Sequence, residues 1–134
     1  MPLYWTDANV LLRFLTGEPE QLADRSAALL EKSERGELGL RIHPVVVAEV
    51  VWVLESFYGY SKDQIRESLL PLLEGHRLRV EGGSAAIQAL QTMAEQNVDY
   101  ADALLAELAR ERSEGVASFD KDFRKRGIEW HEPG

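Results

Sequence analysis

Short apolar, β-prone segments alternate with longer helical ones along the whole chain, and two of the short segments stop at an aspartate. Residues 3–6 end at Asp7, and residues 115–119 end at Asp120. Residues 38–43 and 77–80 read as further strands, and residues 128–131 as a last extended piece. Helices are expected over residues 10–15, closed by Gly17, and from Pro19 toward Gly36. Others are expected from Pro44 to about Tyr58, over 62–74 behind Ser61 as N-cap, from Ser84 through Glu95, and over 100–112. Strands alternating with helices on short links require a parallel sheet covered on both faces. Ligands in such folds bind outside the carboxyl ends of the strands, where Asp7 and Asp120 stand. The chain has 134 residues and no repeats or linkers, so one α/β domain over 1–134 is expected.

Two more carboxylates sit on helices. Glu49 shares its helical face with Val45, Val46, Trp52 and Val53, all apolar. A carboxylate on such a face is expected to be partly buried, and burial without a partner costs several kcal/mol. It then needs a cation, a basic side chain such as Arg13, or a water-filled cleft. Asp102 shares a face with Val98, Leu105 and Ala106, one turn after Asp99. Each acid also has a plainer reading. Asp7 and Asp120 serve as helix caps, and Asp99 caps a helix whose dipole Asp102 complements. Asp122, two residues after Asp120, is expected to face solvent.

The net charge of −8 argues against a nucleic-acid partner, since nucleic acids are polyanions. Gathered carboxylates change that argument when they hold a cation. Mg²⁺ and Mn²⁺ favour carboxylate oxygen and water, and close carboxylates repel unless a cation neutralises them. One such ion generates hydroxide and clamps a phosphate, and a second stabilises the leaving oxygen. With no cysteine, thiolate metal sites and disulfides are excluded. The N-terminus shows no leader pattern and no apolar run approaches the ~18 residues of a membrane span, so a cytoplasmic protein without membrane attachment is expected.

Four stretches taken in order carry a resemblance. They are Asp7-Ala8-Asn9-Val10-Leu11-Leu12, Val47-Ala48-Glu49-Val50-Val51-Trp52-Val53-Leu54, Asp99-Tyr100-Ala101-Asp102-Ala103-Leu104-Leu105-Ala106 and Ser118-Phe119-Asp120-Lys121-Asp122-Phe123. Together they resemble the successive motifs of PIN domains, and size and motif two look most like VapC-type toxins of toxin–antitoxin pairs. The resemblance spans essentially the full length.

It implies a three-layer α/β/α sandwich with about five parallel strands, and an endoribonuclease needing one or two Mg²⁺ or Mn²⁺ ions. By position it makes Asp7, Glu49, Asp102 and Asp120 the catalytic, metal-binding quartet, with Asn9 and Ser118 as supporting polar residues and Asp122 as a further candidate. It also implies an RNA substrate, a homodimer and a cognate antitoxin. His43 departs from the Ser or Thr of many relatives and is read as a helix cap. Lys121, Arg124, Lys125 and Arg126 form the densest basic run and, with Arg13, are candidates for RNA phosphates, a solvated turn being the plainer reading. A PIN-like processing nuclease without an antitoxin, and a non-catalytic PIN-like scaffold, stay open as alternatives. A haloacid-dehalogenase-type phosphatase is disfavoured, because Asp7-Ala8-Asn9 lacks its second aspartate, and neither it nor a receiver domain has a place for the Glu49 motif.

Overall fold

A computed structural model describes residues 1–134. In chain order the elements are β1 (Leu3–Trp5), α1 (Ala8–Thr16), α2 (Glu20–Glu34), β2 (Gly39–Ile42), α3 (Pro44–Ser56) and α4 (Lys62–Glu74), then β3 (Arg79–Val80), α5 (Ala85–Gln96), α6 (Tyr100–Arg112) and β4 (Val116–Ala117), a 3₁₀ helix (Lys121–Arg126) and β5 (Trp130–His131).

Local chemistry fixes most helix ends. Gly17 takes a left-handed φ of 74° and its N–H closes α1 on the Arg13 carbonyl. The capping box of α4 is complete: Ser61 Oγ accepts from Gln64 N at 3.1 Å while Gln64 Oε1 accepts from Ser61 N at 2.8 Å. His43 is a cap as expected, its Nδ1 accepting from Val45 N at 3.0 Å with Pro44 opening α3. Ser84 holds the N-cap position of α5, but its side chain makes no capping bond.

All five strands pair in parallel, in two ladders rather than one sheet. The first runs β1-β2-β3, with Tyr4 opposite Leu40 and Ile42 opposite Val80; the second pairs β4 with β5, Val116 opposite Trp130. The outer edge of β1 therefore has no partner strand, and Leu3, Tyr4 and Trp5 are 52%, 53% and 58% exposed. Two-residue strands are too short to carry a ladder far, so the pairing stops where β4 does.

The hydrophobic interior divides in the same way. Twenty buried residues form the main core, among them Leu11 and Leu12 of α1, Ile42 of β2, Leu54 of α3, Leu69 of α4 and Leu90 of α5. The α1 residues Phe14 and Leu15 are partly buried against it, so the apolar face of α1 serves the core. A separate cluster of four, Ala106, Ala109, Val116 and Phe123, joins the end of α6 to β4 and the 3₁₀ helix, with Ile128 and Trp130 packed on it. Between α5 and α6 lies a buried polar contact, Thr92 Oγ1 donating to Glu107 Oε1 at 3.1 Å.

Candidate active site

Asp7 leaves β1 in extended conformation and caps α1, its Oδ1 accepting from Val10 N at 3.3 Å. Asp120 does the same after β4, Oδ1 accepting from Asp122 N at 2.9 Å, and Ser118 Oγ accepts from Asp120 N at 2.9 Å. Both aspartates are exposed. Capping uses one oxygen of each carboxylate and leaves the other free, so the capping and ligand readings describe compatible uses. Ser118 is thus a backbone organiser for Asp120. Asp122 faces solvent, with Lys125 Nζ at 3.7 Å.

Asp102 lies in the first turn of α6 and is half-buried. Asp99 occupies the N-cap position but its side chain makes no capping bond, so the two do not form the reciprocal cap. The Asp102 carboxyl is held above the ordinary carboxylate range, first by burial. The Arg126 guanidinium acts in the opposite direction, and the charges of Asp99 and Asp120 push it further up. Asp102 and Asp120, from a helix and a strand end, therefore share one local field.

Within the basic run, Arg126 is the half-buried member. Its guanidinium lies 4.7 Å from the centroid of the Phe123 ring, its Nη1 is buried without a hydrogen-bond partner, and its carbonyl accepts from Arg110 Nη1 and Nη2 at 3.1 and 2.8 Å. Its guanidinium thus packs on Phe123 and acts on Asp102. Arg124 stacks over Trp130 at 5.4 Å, and Lys125 is the partner of Asp122. Of the basic run, Lys121 alone has no such contact.

Glu49 requires a correction. It is exposed, and so are its face-mates Val45 and Trp52, at 65% and 66%. The core instead takes Val47, Val50, Val51 and Leu54, the opposite side of α3. Periodicity identified an apolar face, but α3 is apolar nearly all round: Val46 and Val53 are partly buried against the core, and the strip carrying Val45, Glu49 and Trp52 is left uncovered. Burial therefore does not oblige Glu49 to meet a cation. Nor does Arg13 pair with it; Arg13 Nη1 donates to the Glu18 carbonyl at 3.4 Å. His76 and His131 lie at the surface.

As the side chains stand, no three acids or histidines gather closely enough to enclose an ion. In kind, the donor set suits a hard divalent cation: carboxylates alone, two of them in one field, one raised first by burial and then by its neighbours' charge. Asn9 lies beside Asp7 in a groove of about 660 Å³ between α1 and α2, and this groove is the polar approach to Asp7.

Comparison with known proteins supplies what geometry alone does not. Residues 4–129 match the PIN domain family. The chain belongs to that family. A VapC ribonuclease of Aquifex aeolicus (strain VF5) is similar to it, 28% identical over 128 residues that cover 95% of this chain and 94% of that protein. This PIN domain thus carries the α/β fold expected from its alternating segments, with its parallel strands split between two ladders. No helix is long and apolar enough to cross a membrane.

Proposed function

We propose that this PIN domain is an endoribonuclease that hydrolyses RNA phosphodiester bonds with one or two bound Mg²⁺ or Mn²⁺ ions, as the toxin of a toxin–antitoxin pair. The observation that carries the reading is the half-buried Asp102 lying within the field of the strand-end Asp120, in a chain that matches the PIN domain over residues 4–129. The similarity to a VapC ribonuclease across nearly the whole length supports the substrate and the toxin role. A cytoplasmic site of action, where such an RNA substrate would be met, is part of the same proposal. The antitoxin and a homodimer are part of the same proposal, supported by exposed apolar side chains such as Trp52 and Phe57 that a partner would cover.

Asp7, Asp102, Asp120 and Glu49 would hold the ion. When bound, it supplies a Lewis acid and a water of lowered pKa. Asp102 gains most, because a cation offsets both the burial that chiefly raises its carboxyl and the smaller repulsion from Asp99 and Asp120. Ser118 holds the backbone of Asp120 so that its carboxylate leaves the strand end in one direction. Glu49, exposed and without an ion-pair partner, would either bind the ion or orient the attacking water as a general base. Asn9 offers an amide to a phosphate oxygen at the mouth of the groove.

The test is RNA cleavage with and without Mn²⁺, comparing the native chain with Asp7→Asn. Asparagine caps helices as well as aspartate, so α1 stays intact and the difference reports charge at the site. Cleavage by the native chain alone, and only with the metal, is the expected outcome. Equal cleavage by both proteins removes the metal-site assignment. A small reading frame encoding a protein that inhibits this one separates toxin from processing nuclease.

A further inference from the structure

The groove between α1 and α2 carries a charge pattern opposite to that of the protein. Arg13 projects into it from α1, and Arg25 and Lys32 from α2. None of the three takes part in an ion pair, although six other cations of the chain do. Asp7 is the single carboxylate on its walls. In a chain of net charge −8, this is a local surplus of positive charge.

Helical geometry explains why the cations share one cleft. Leu22, Arg25, Ser26, Leu29 and Lys32 fall at steps of three and four residues, a single face of α2. Arg25 and Lys32 are seven residues apart, which at 1.5 Å per residue sets their backbones about 10 Å apart along the helix. Asn9 and Arg13 repeat the four-residue step on α1. The groove thus has an apolar floor, cations along both walls, and Asp7 at one end.

We propose that this groove is a track for the sugar-phosphate backbone of single-stranded RNA, with Arg13, Arg25 and Lys32 as its phosphate contacts and Asp7 at its reacting end. The track rests on the ribonuclease reading and adds a binding path to it. Unpaired cations at helical intervals fit a chain of regularly spaced anions, and the apolar floor fits bases or ribose. The basic run at 121–126 is a poorer candidate, because Arg124, Lys125 and Arg126 are already engaged.

Fluorescence anisotropy of a labelled oligouridylate of about 12 nucleotides tests the track, since stacking-groove sites span about 4–16 nucleotides. Binding is measured on the full chain with EDTA present, so that nothing is cut. Three phosphate contacts on a single strand give a slope of log K against log[KCl] of about −2. Arg25→Ala with Lys32→Ala makes it shallower by about 1.4, which at 0.1 M KCl is roughly 25-fold weaker binding. Both residues are exposed, so the fold tolerates the change, and Arg66→Ala on α4 is the control. Loss confined to the groove pair supports the track. Unchanged affinity and slope in a folded double variant overturns it, even if RNA is cleaved. Equal, groove-dependent binding of polyglutamate overturns it too, in favour of an acidic protein segment. RNA binding that tracks the groove without any Mn²⁺-dependent cleavage keeps the track and defeats the ribonuclease reading.

Discussion

Replacing Phe123 with alanine separates the two packing units of this molecule. Phe123 is 2% exposed and is the one aromatic residue among the four buried members of the C-terminal cluster, the others being Ala106, Ala109 and Val116. Truncating a buried phenylalanine costs about 3–5 kcal/mol. The stacked Arg126 guanidinium, 4.7 Å from the ring, adds roughly 0.5–2 kcal/mol. Three small or medium side chains cannot offset that loss, so the segment from β4 to β5 should detach. The main core of twenty residues does not contain Phe123 and should hold. Amide hydrogen exchange is the assay. Protection of Val116, Ser118 and Phe123, whose amides bond to Glu129, His131 and Asp120, should disappear, while that of Leu54 and Leu69 persists. RNA cleavage should be lost with it, because Asp120 and Arg126 leave the neighbourhood of Asp102. If the loss were shared by one cooperative unit, the melting temperature would drop by about 10–40 °C, at roughly 3–6 °C per kcal/mol for a chain of this size. Such a drop, with uniform loss of protection, would falsify the two-unit reasoning; the expected shift is below about 3 °C.

Other outcomes follow from single contacts. Asp102→Asn should abolish cleavage yet raise stability near neutral pH by about 0.2–1 kcal/mol, the scale of an exposed charge pair. The sign follows from the raised pKa: Asp102 contributes fully to stability below the ordinary carboxylate range, and that contribution fades as pH rises through the raised value. Thermal melts across that range should therefore flatten in the variant, and a steeper profile would contradict the assigned field. Thr92→Val removes the donor to buried Glu107 and should cost about 1–3 kcal/mol by urea unfolding, with Arg110 Nε at 3.7 Å the only remaining cation nearby. Ser61→Ala removes half of the α4 capping box and should cost about 1 kcal/mol, whereas His43→Ser should be nearly neutral, since serine replaces one cap with another.

The limits of sequence reading fall where tertiary structure decides. The α4 and α6 boundaries were legible because Ser61, Gln64 and the residues around Asp99 and Arg112 set them locally. Strands were read too long: residues 38–43 shrink to Gly39–Ile42 and residues 115–119 to Val116–Ala117, because a strand lasts only as long as its neighbour pairs with it. Asp7 and Asp120 were rightly seen at strand ends, and their capping roles are local enough to have been foreseen as well. Glu49 misled because helical periodicity names a face without saying what lies against it. Arg25 and Lys32 escaped notice for the complementary reason: each is an ordinary surface cation until α1 packs beside α2 and makes a groove. Asp102 and Arg126 are 24 positions apart, and nothing short of the fold brings a guanidinium to that carboxylate.

The separation of the main core from the small C-terminal cluster also orders events during synthesis, since a chain leaves the ribosome N-terminus first. Every member of the main core lies at or before Ala103, whereas Asp120 follows it. A nascent chain can thus bury its interior while still lacking one of the four acids proposed to hold the ion. Translation halted shortly after α6 would release a folded but inert product. For an enzyme that cuts RNA, potency would come after the core, with the segment that carries Asp120.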